Sequence, residues 1–215
     1  ASFSGFYFAM LLLLWSLFLR PVAFEYRSKM KSKRWRSFWD WGLFVGSLVP
    51  VLIIGVAMGN VLLGVPFHYD ALSVRFFYSG TFWGLLRGFP ILVGVVCICM
   101  LLMHGAAYVA MRTEGVVYER AKRAVRFAAW GFILTFAAAG IWVGTGINGF
   151  HVLQSKPDAV VNTIVSVPHG WMSNYTHHVW FILAPIVAFI SALFVFFFAG
   201  RSMSRAAFVA SVFVP

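Results

Sequence analysis

The stretch RPVAFEYRSKMKSKRWRSFWDWG, residues 20–42, lies between two long apolar runs and decides the fold. It holds seven of the 17 basic residues, although only 11% of the 215 residues are charged and 61% are hydrophobic. A soluble domain of this length cannot bury so much apolar surface. We therefore interpret the flanking runs as membrane spans and the basic stretch as a segment outside the lipid.

Apolar segments recur along the whole chain, and most of them approach or exceed the ~20 residues that cross a hydrocarbon core about 30 Å thick. They cover residues 3–19, 38–62, 85–111, 124–147, 176–199 and a short piece from 206. Helices are the remaining option, because a barrel would show short alternating strands. The sequence predicts an all-α polytopic membrane bundle, a single domain over residues 1–215 with five full spans and part of a sixth.

Basic residues alternate between the stretches that connect these segments. Residues 20–36, 112–126 and 200–205 hold seven, five and two of them, whereas 63–87 and 148–175 hold two and one. Cytoplasmic loops of membrane proteins are enriched in Lys and Arg. We therefore expect the first three stretches to be cytoplasmic, and we attribute the net charge of +11 to topology rather than to nucleic-acid binding.

Both ends of the sequence look cut. It starts without Met and almost directly within an apolar segment, and it stops at Pro215 about ten residues into the last one. We expect an internal piece of a longer polytopic protein.

Small residues on the predicted spans indicate close helix packing. The G-x-x-x-G spacing lets helix backbones approach without intervening side chains. It occurs at Gly42/Gly46, Gly55/Gly59 and Gly140/Gly144. Cys97 and Cys99 lie two apart within one span, so we expect free thiols rather than a disulfide.

The histidines do not form a recognisable metal or haem motif. Five of them lie in loops or at the start of a span: His68, His151, His169, His177 and His178. His104 is the one histidine deep within a span, where a polar group is costly and often functional. Two interpretations stay open for it, a structural hydrogen bond to a neighbouring helix near the cytoplasmic end or ligation of a haem or metal.

Two acidic residues lie at the predicted membrane edge. Asp40 lies between two Trp residues, near a helix N-terminus whose dipole favours its charge. Glu25 follows Arg20 by five residues across Pro21, which we expect to turn the chain there. An Arg–carboxylate pair would lower the cost of placing both groups at the edge, and the alternative is two solvated loop charges. Neither interpretation provides a catalytic centre.

Three stretches closely resemble subunit II of the cytochrome bd-type quinol oxidases. They are FSGFYFAMLLLLWSLFLRPVAFEYRSK (3–29), RWRSFWDWGLFVGSLVPVLIIGVAMGNVLLGVPF (34–67) and HGAAYVAMRTEG (104–115). The similarity is dense over residues 2–68 and 104–126 and weaker over 127–215. The family subunit is longer, which agrees with a cropped piece.

The resemblance implies a function in bacterial aerobic respiration. The family oxidises quinol at the inner membrane and reduces O₂ to water as an electron-transport step. Subunit I holds the b-type and d-type haems, and subunit II packs against it, supports a proton path and in some members holds a structural quinone. Quinol, membrane lipid and small accessory subunits are the other partners that the resemblance implies, and it assigns no haem ligand to this chain.

The resemblance also bears on the candidate residues. The Arg and acid at the end of the family's third helix match Arg20 and Glu25, although the acid is often Asp in the family. Its proton-path carboxylate lies in a segment with no counterpart here. Asp40 and His104 complete the set of structural or proton-path candidates. A polytopic transporter of unknown substrate is the alternative function, and a scaffold protein is a third.

Overall fold

The computed structural model describes residues 5–70, 75–154 and 163–214. Residues 3–4 of the first predicted segment, and residues 71–74 and 155–162 of two predicted loops, including Lys156, lie outside that description. The chain divides into two compact units, Ala1–Ile98 and Cys99–Pro215, and the boundary between them falls inside helix α3.

The first unit consists of two long helices, a small hairpin and the beginning of a third helix. Strands β1 and β2 pair antiparallel, with Phe67 opposite Tyr78. Its elements are α1 Tyr7–Tyr26, α2 Lys33–Leu63, β1 Phe67–Asp70, β2 Arg75–Tyr78, a 3-10 turn Trp83–Leu85 and the start of α3 Gly88–Arg112.

The second unit continues α3 and adds a second antiparallel hairpin, in which Gly149 lies opposite Val167. The start of β3 lies against the start of α5, where Gly149 and Gly170 meet with no side chain between them. Its further elements are α4 Gly115–Gly146, β3 Gly149–Gln154, β4 Thr163–Val167, α5 Gly170–His177, a 3-10 turn Val179–Ile182, α6 Leu183–Gly200 and α7 Ser204–Ser211.

Five helices among the described residues are long and apolar enough to cross a membrane, which confirms the predicted spans. They are α1, α2, α3, α4 and the continuous helical stretch Val179–Gly200. Within the most apolar part of each, only 11% to 28% of the residues are buried. Most of the span surface therefore needs lipid or other chains to cover it.

Helix α4 begins earlier than the apolar pattern predicts. The expected loop over residues 112–126 is wrong, because α4 starts at Gly115 and only residues 113–114 separate it from α3. Hydropathy marks where a helix enters lipid rather than where its backbone hydrogen bonds begin. The charged first turns of α4 therefore extend the helix beyond the apolar segment.

Proline does not end helix α1. Pro21 lies inside it, and the helix runs on to Tyr26, so the predicted turn at Pro21 is wrong. A proline within a membrane helix removes a single backbone donor, and the rest of the ladder holds the helix. The connection between α1 and α2 is correspondingly short, residues 27–32.

Glycine contacts within the first unit confirm the predicted close packing. A Cβ placed on Gly55 would lie 2.6 Å from Gly94 Cα, and one on Gly59 would lie 2.6 Å from Pro90 Cα. These two glycines therefore let α2 lie directly against the first turns of α3. The prediction is wrong for Gly140, where a Cβ would meet nothing within 4 Å among the described residues.

We expect Gly55→Ala and Gly59→Ala to destabilise the chain, because the new methyl group has to push two backbones apart. Overpacking of this kind costs about 1–3 kcal/mol. Gly105→Ala is the matched control, since a Cβ there also meets nothing within 4 Å and Ala favours a helix. The thermal unfolding midpoint of the purified protein provides the measurement. Equal midpoints for Gly55→Ala and Gly105→Ala would contradict the packing.

Candidate functional site

An ion pair joins the ends of α1 and α2. Arg27 follows the last residue of α1, and its Nε donates to Asp40 Oδ1 of α2 at 2.5 Å. Its Nη2 also donates to Asp40 Oδ2, at 3.4 Å, so the guanidinium approaches the carboxylate with two nitrogens. The hydrogen bond and charge of Asp40 raise the pKa of Arg27 above its ordinary value. Both side chains are about half exposed, 48% and 49%, so the pair orients the helices more than it stabilises them.

Aromatic residues close to this pair in the sequence contact one another across α1 and α2. Trp35 Nε1 donates to Tyr26 O at 2.8 Å, and the rings of Tyr26 and Trp39 stack with 5.8 Å between their centroids. Trp and Tyr are the residues that favour the membrane–water boundary. We call Tyr26, Arg27, Trp35, Trp39 and Asp40 the α1–α2 corner. It places Asp40 in a structural cluster at the basic end of both helices.

Arg20 and Glu25 do not pair with each other. Glu25 Oε1 lies 3.7 Å from Lys29 Nζ, and Arg20 has no ion-pair partner among the residues that the structure describes. Both side chains are exposed. The predicted pair is wrong because α1 continues through Pro21, and five residues along a continuous helix lie about 140° apart around its axis. The acid that pairs with an Arg at this end is Asp40.

His104 reaches a neighbouring helix from within α3. Its Nδ1 lies 2.9 Å from Oγ of Ser211 on α7, and the rings of His104 and Phe208 lie 5.1 Å apart. Ser211 is 0% exposed. This contact is the hydrogen bond that the structural interpretation of His104 predicts. Its role in a proton path stays a prediction.

The hydrogen bonds around His104 assign its tautomer. The Ser211 hydroxyl donates its one hydrogen to Phe208 O at 2.6 Å, because a carbonyl oxygen only accepts. Nδ1–H of His104 must therefore donate to Ser211 Oγ. The hydrogen bond to Ser211 therefore holds the His104 ring in one orientation between α3 and α7.

Two of the other histidines, His151 and His169, contact backbone and hydroxyl groups of the second unit. His169 Nδ1 donates to Gly144 O at 2.7 Å, and His151 Nε2 lies 3.3 Å from Ser173 Oγ. Residues 5–70, 75–154 and 163–214 contain no group of three or more His, Cys, Asp or Glu side chains that could hold a metal ion. Cys97 and Cys99 are free thiols, as predicted.

Two polar contacts have no counterpart in the predictions. Asn60 is 4% exposed, and its Nδ2 donates to Val56 O and Leu85 O, each at 2.8 Å. It ties α2 to the 3-10 turn, and an amide within an apolar run was the signal that could have revealed it. Lys122 Nζ donates to Ser202 Oγ at 2.8 Å and links α4 to the turn after α6.

Comparison with known proteins shows which family the chain is similar to. The family model of cytochrome bd terminal oxidase subunit II matches residues 1–214. Cytochrome bd-I ubiquinol oxidase subunit 2 of Escherichia coli (strain K12) is 45% identical over 184 residues, 82% of this chain and 48% of that protein. The probable cytochrome oxidase subunit 2 of Haemophilus influenzae is 38% identical over 228 residues, 98% of this chain and 60% of that protein.

A more distant relative agrees with these two. Cytochrome bd ubiquinol oxidase subunit 2 of Bacillus subtilis is 32% identical over 120 residues, 56% of this chain and 34% of that protein. The chain spans about half the length of the curated relatives it matches, 48% and 60% for the E. coli and H. influenzae proteins.

We expect His104→Leu and Ser211→Ala to destabilise the protein less than additively when they are combined. Ser211→Ala leaves Nδ1–H of His104 without its acceptor, whereas the double variant has no unpaired donor. The coupling between two such groups in a membrane protein is about 0.6 kcal/mol and reaches ~1.7 kcal/mol. A double-mutant cycle on the unfolding midpoint measures it. Strict additivity would show that the two side chains do not interact.

Proposed function

Because the chain belongs to the cytochrome bd terminal oxidase subunit II family, we propose that it is the non-haem-ligating membrane subunit of a bd-type quinol oxidase. The match over residues 1–214 carries this proposal. In the assembled enzyme, quinol gives up electrons and protons, and O₂ takes up electrons and protons to form water. This chain supports that reaction without supplying its redox centre.

The exposed apolar faces of the spans are consistent with a partner subunit in the membrane. Each span buries at most 28% of its most apolar residues within the chain, so broad apolar faces remain for another membrane subunit and for lipid. We propose that subunit I covers part of these faces and holds haem b and haem d. The names of the relatives describe oxidase subunits, so a transporter is not favoured.

The candidate residues divide by what they touch. We propose a positioning role for Asp40, through Arg27, and for His104, through Ser211, because each holds two helices in register. Arg20 and Glu25 are exposed on the basic end of α1 and remain candidates for contact with subunit I or with a proton path.

The chain is a multi-pass membrane protein, and we propose that it lies in the bacterial inner membrane with its basic helix ends in the cytoplasm. The connections at 27–32, 113–114 and 201–203 lie beside 14 of the 17 basic residues. The two hairpins would then face the outer side. The bias of Lys and Arg towards cytoplasmic loops supports this orientation.

We expect the chain, tagged within its native gene and purified in mild detergent, to bring down a second membrane subunit with a haem d absorption band. The preparation should consume O₂ when quinol is supplied. Deletion of the gene should remove the haem d band from the membranes, and the tagged copy should restore it. Membranes that keep a full haem d band and full quinol oxidase activity after the deletion would overturn the proposal.

The same preparation distinguishes the two roles of His104. If His104 is a positioning residue, the His104→Leu substitution should lower the amount of assembled enzyme and leave the turnover per haem d unchanged. A loss of turnover per haem d at normal assembly would instead assign His104 to a proton path.

A further inference from the structure

The basic end of α4 carries a groove that the proposed function does not use. Its volume is about 330 Å³, and it is lined by Arg123, Arg126, Phe127 and Trp130 of α4 and by Phe196 of α6. Residues three and four apart on a helix lie on the same side, so the two arginines and the two aromatic residues form one continuous strip. The groove therefore has a charged upper part and an apolar lower part.

Aromatic contacts hold the arginine that lies nearest the apolar part. Cζ of Arg126 lies 5.1 Å from the centroid of the Phe196 ring, within the range of a cation–π interaction. The ring of Trp130 meets Phe196 edge to face at 5.5 Å. Phe127 is 80% exposed and Trp130 is 49% exposed, so both still offer apolar surface to a ligand.

Within the part of the chain that the structure describes, no carboxylate pairs with the arginines of the groove. The ion pairs Arg27–Asp40 and Lys29–Glu25 lie elsewhere and do not involve Arg123 or Arg126. Arg123 Nε donates only to the backbone oxygen of Glu119, at 3.4 Å. A guanidinium has five N–H donors, so most of the donors of both arginines remain free for an external anion.

The position along α4 identifies the kind of anion. Arg126 is the last charged residue of the helix, and residues 127–146 are free of charged side chains. Trp130 lies about 6 Å further along the axis, at 1.5 Å per residue. Charged residues ending one turn before an exposed Trp mark the headgroup level of a bilayer. Two free guanidinium groups therefore lie at the depth of lipid phosphates, with an apolar groove towards the acyl chains.

We propose that this groove binds one anionic phospholipid. The phosphate accepts hydrogen bonds from Arg123 and Arg126, and an acyl chain lies along Phe127, Trp130 and Phe196. A phosphatidylglycerol-type headgroup fits, because it adds no cation to the local positive charge. A choline headgroup brings an ammonium group close to these cations and binds less tightly.

Native mass spectrometry of the delipidated complex, titrated with dioleoylphosphatidylglycerol or dioleoylphosphatidylcholine, tests the proposal. We expect phosphatidylglycerol to bind more tightly, and the double variant Arg123→Gln/Arg126→Gln to lose affinity for it on the order of 10-fold. The matched control is Arg34→Gln/Arg36→Gln, which removes two exposed arginines at the start of α2 and should keep wild-type affinity. Equal binding of the two lipids, or an equal loss in the control, would overturn the site.

A second measurement does not depend on the assembly of the arginine variant. Brominated phosphatidylglycerol in detergent micelles should quench tryptophan fluorescence more than brominated phosphatidylcholine does, and Trp130→Phe should abolish that difference. Unchanged differential quenching in Trp130→Phe would place the lipid elsewhere. The absence of differential quenching in the wild-type complex would show that another part of the assembly covers the groove. Either result contradicts the proposal, and neither depends on oxidase activity.

Discussion

The absence of water from the bilayer interior is the constraint on which the structure depends. Each backbone N–H and C=O in the hydrocarbon has to bond within its own helix, and each unpaired group costs several kcal/mol. The five spans satisfy this rule, and Pro21 and Pro50 remain inside α1 and α2 because neighbouring turns hold the helices together. The same constraint moves charge to the helix ends. There residues 20–36 and the first turns of α4 hold 11 of the 17 basic side chains.

Two polar side chains between those ends, Asn60 and His104, have defined partners. Asn60 bonds to two backbone oxygens, and His104 bonds to a serine that is itself bonded to the backbone. A hydrogen bond joins two specific atoms, whereas apolar contacts can shift along a helix. These hydrogen bonds therefore fix which turn of one helix lies against which part of its neighbour. The family's chemistry belongs to haems that we place in another subunit. In the supporting subunit that we propose, such contacts hold neighbouring helices in register.

The sequence predicted the spans well because twenty apolar residues have few alternatives in a membrane protein. It also predicted the close approach at Gly55 and Gly59, since small residues leave room for a backbone. It failed to predict side-chain contacts that depend on which side of a helix a residue faces or on a partner far away in the chain. We expected Arg20 and Glu25 to pair because Pro21 suggested a turn, yet the helix continues and separates them. Asp40 instead forms an ion pair with Arg27. The contacts of Asn60 and Ser211 are invisible without the fold, because Leu85 and His104 lie far away in the chain.

We propose that the basic helix ends share one side of the membrane, and cysteine accessibility measures this orientation. Ser32 lies in the basic connection and Ser166 is exposed on β4, so Ser32→Cys and Ser166→Cys probe the two sides. Both are introduced into a Cys97→Ala/Cys99→Ala background and treated with an impermeant maleimide in intact spheroplasts. With the basic ends in the cytoplasm, we expect Ser166→Cys to be labelled at once and Ser32→Cys to be labelled only after lysis. Labelling of Ser32→Cys in intact spheroplasts would contradict it.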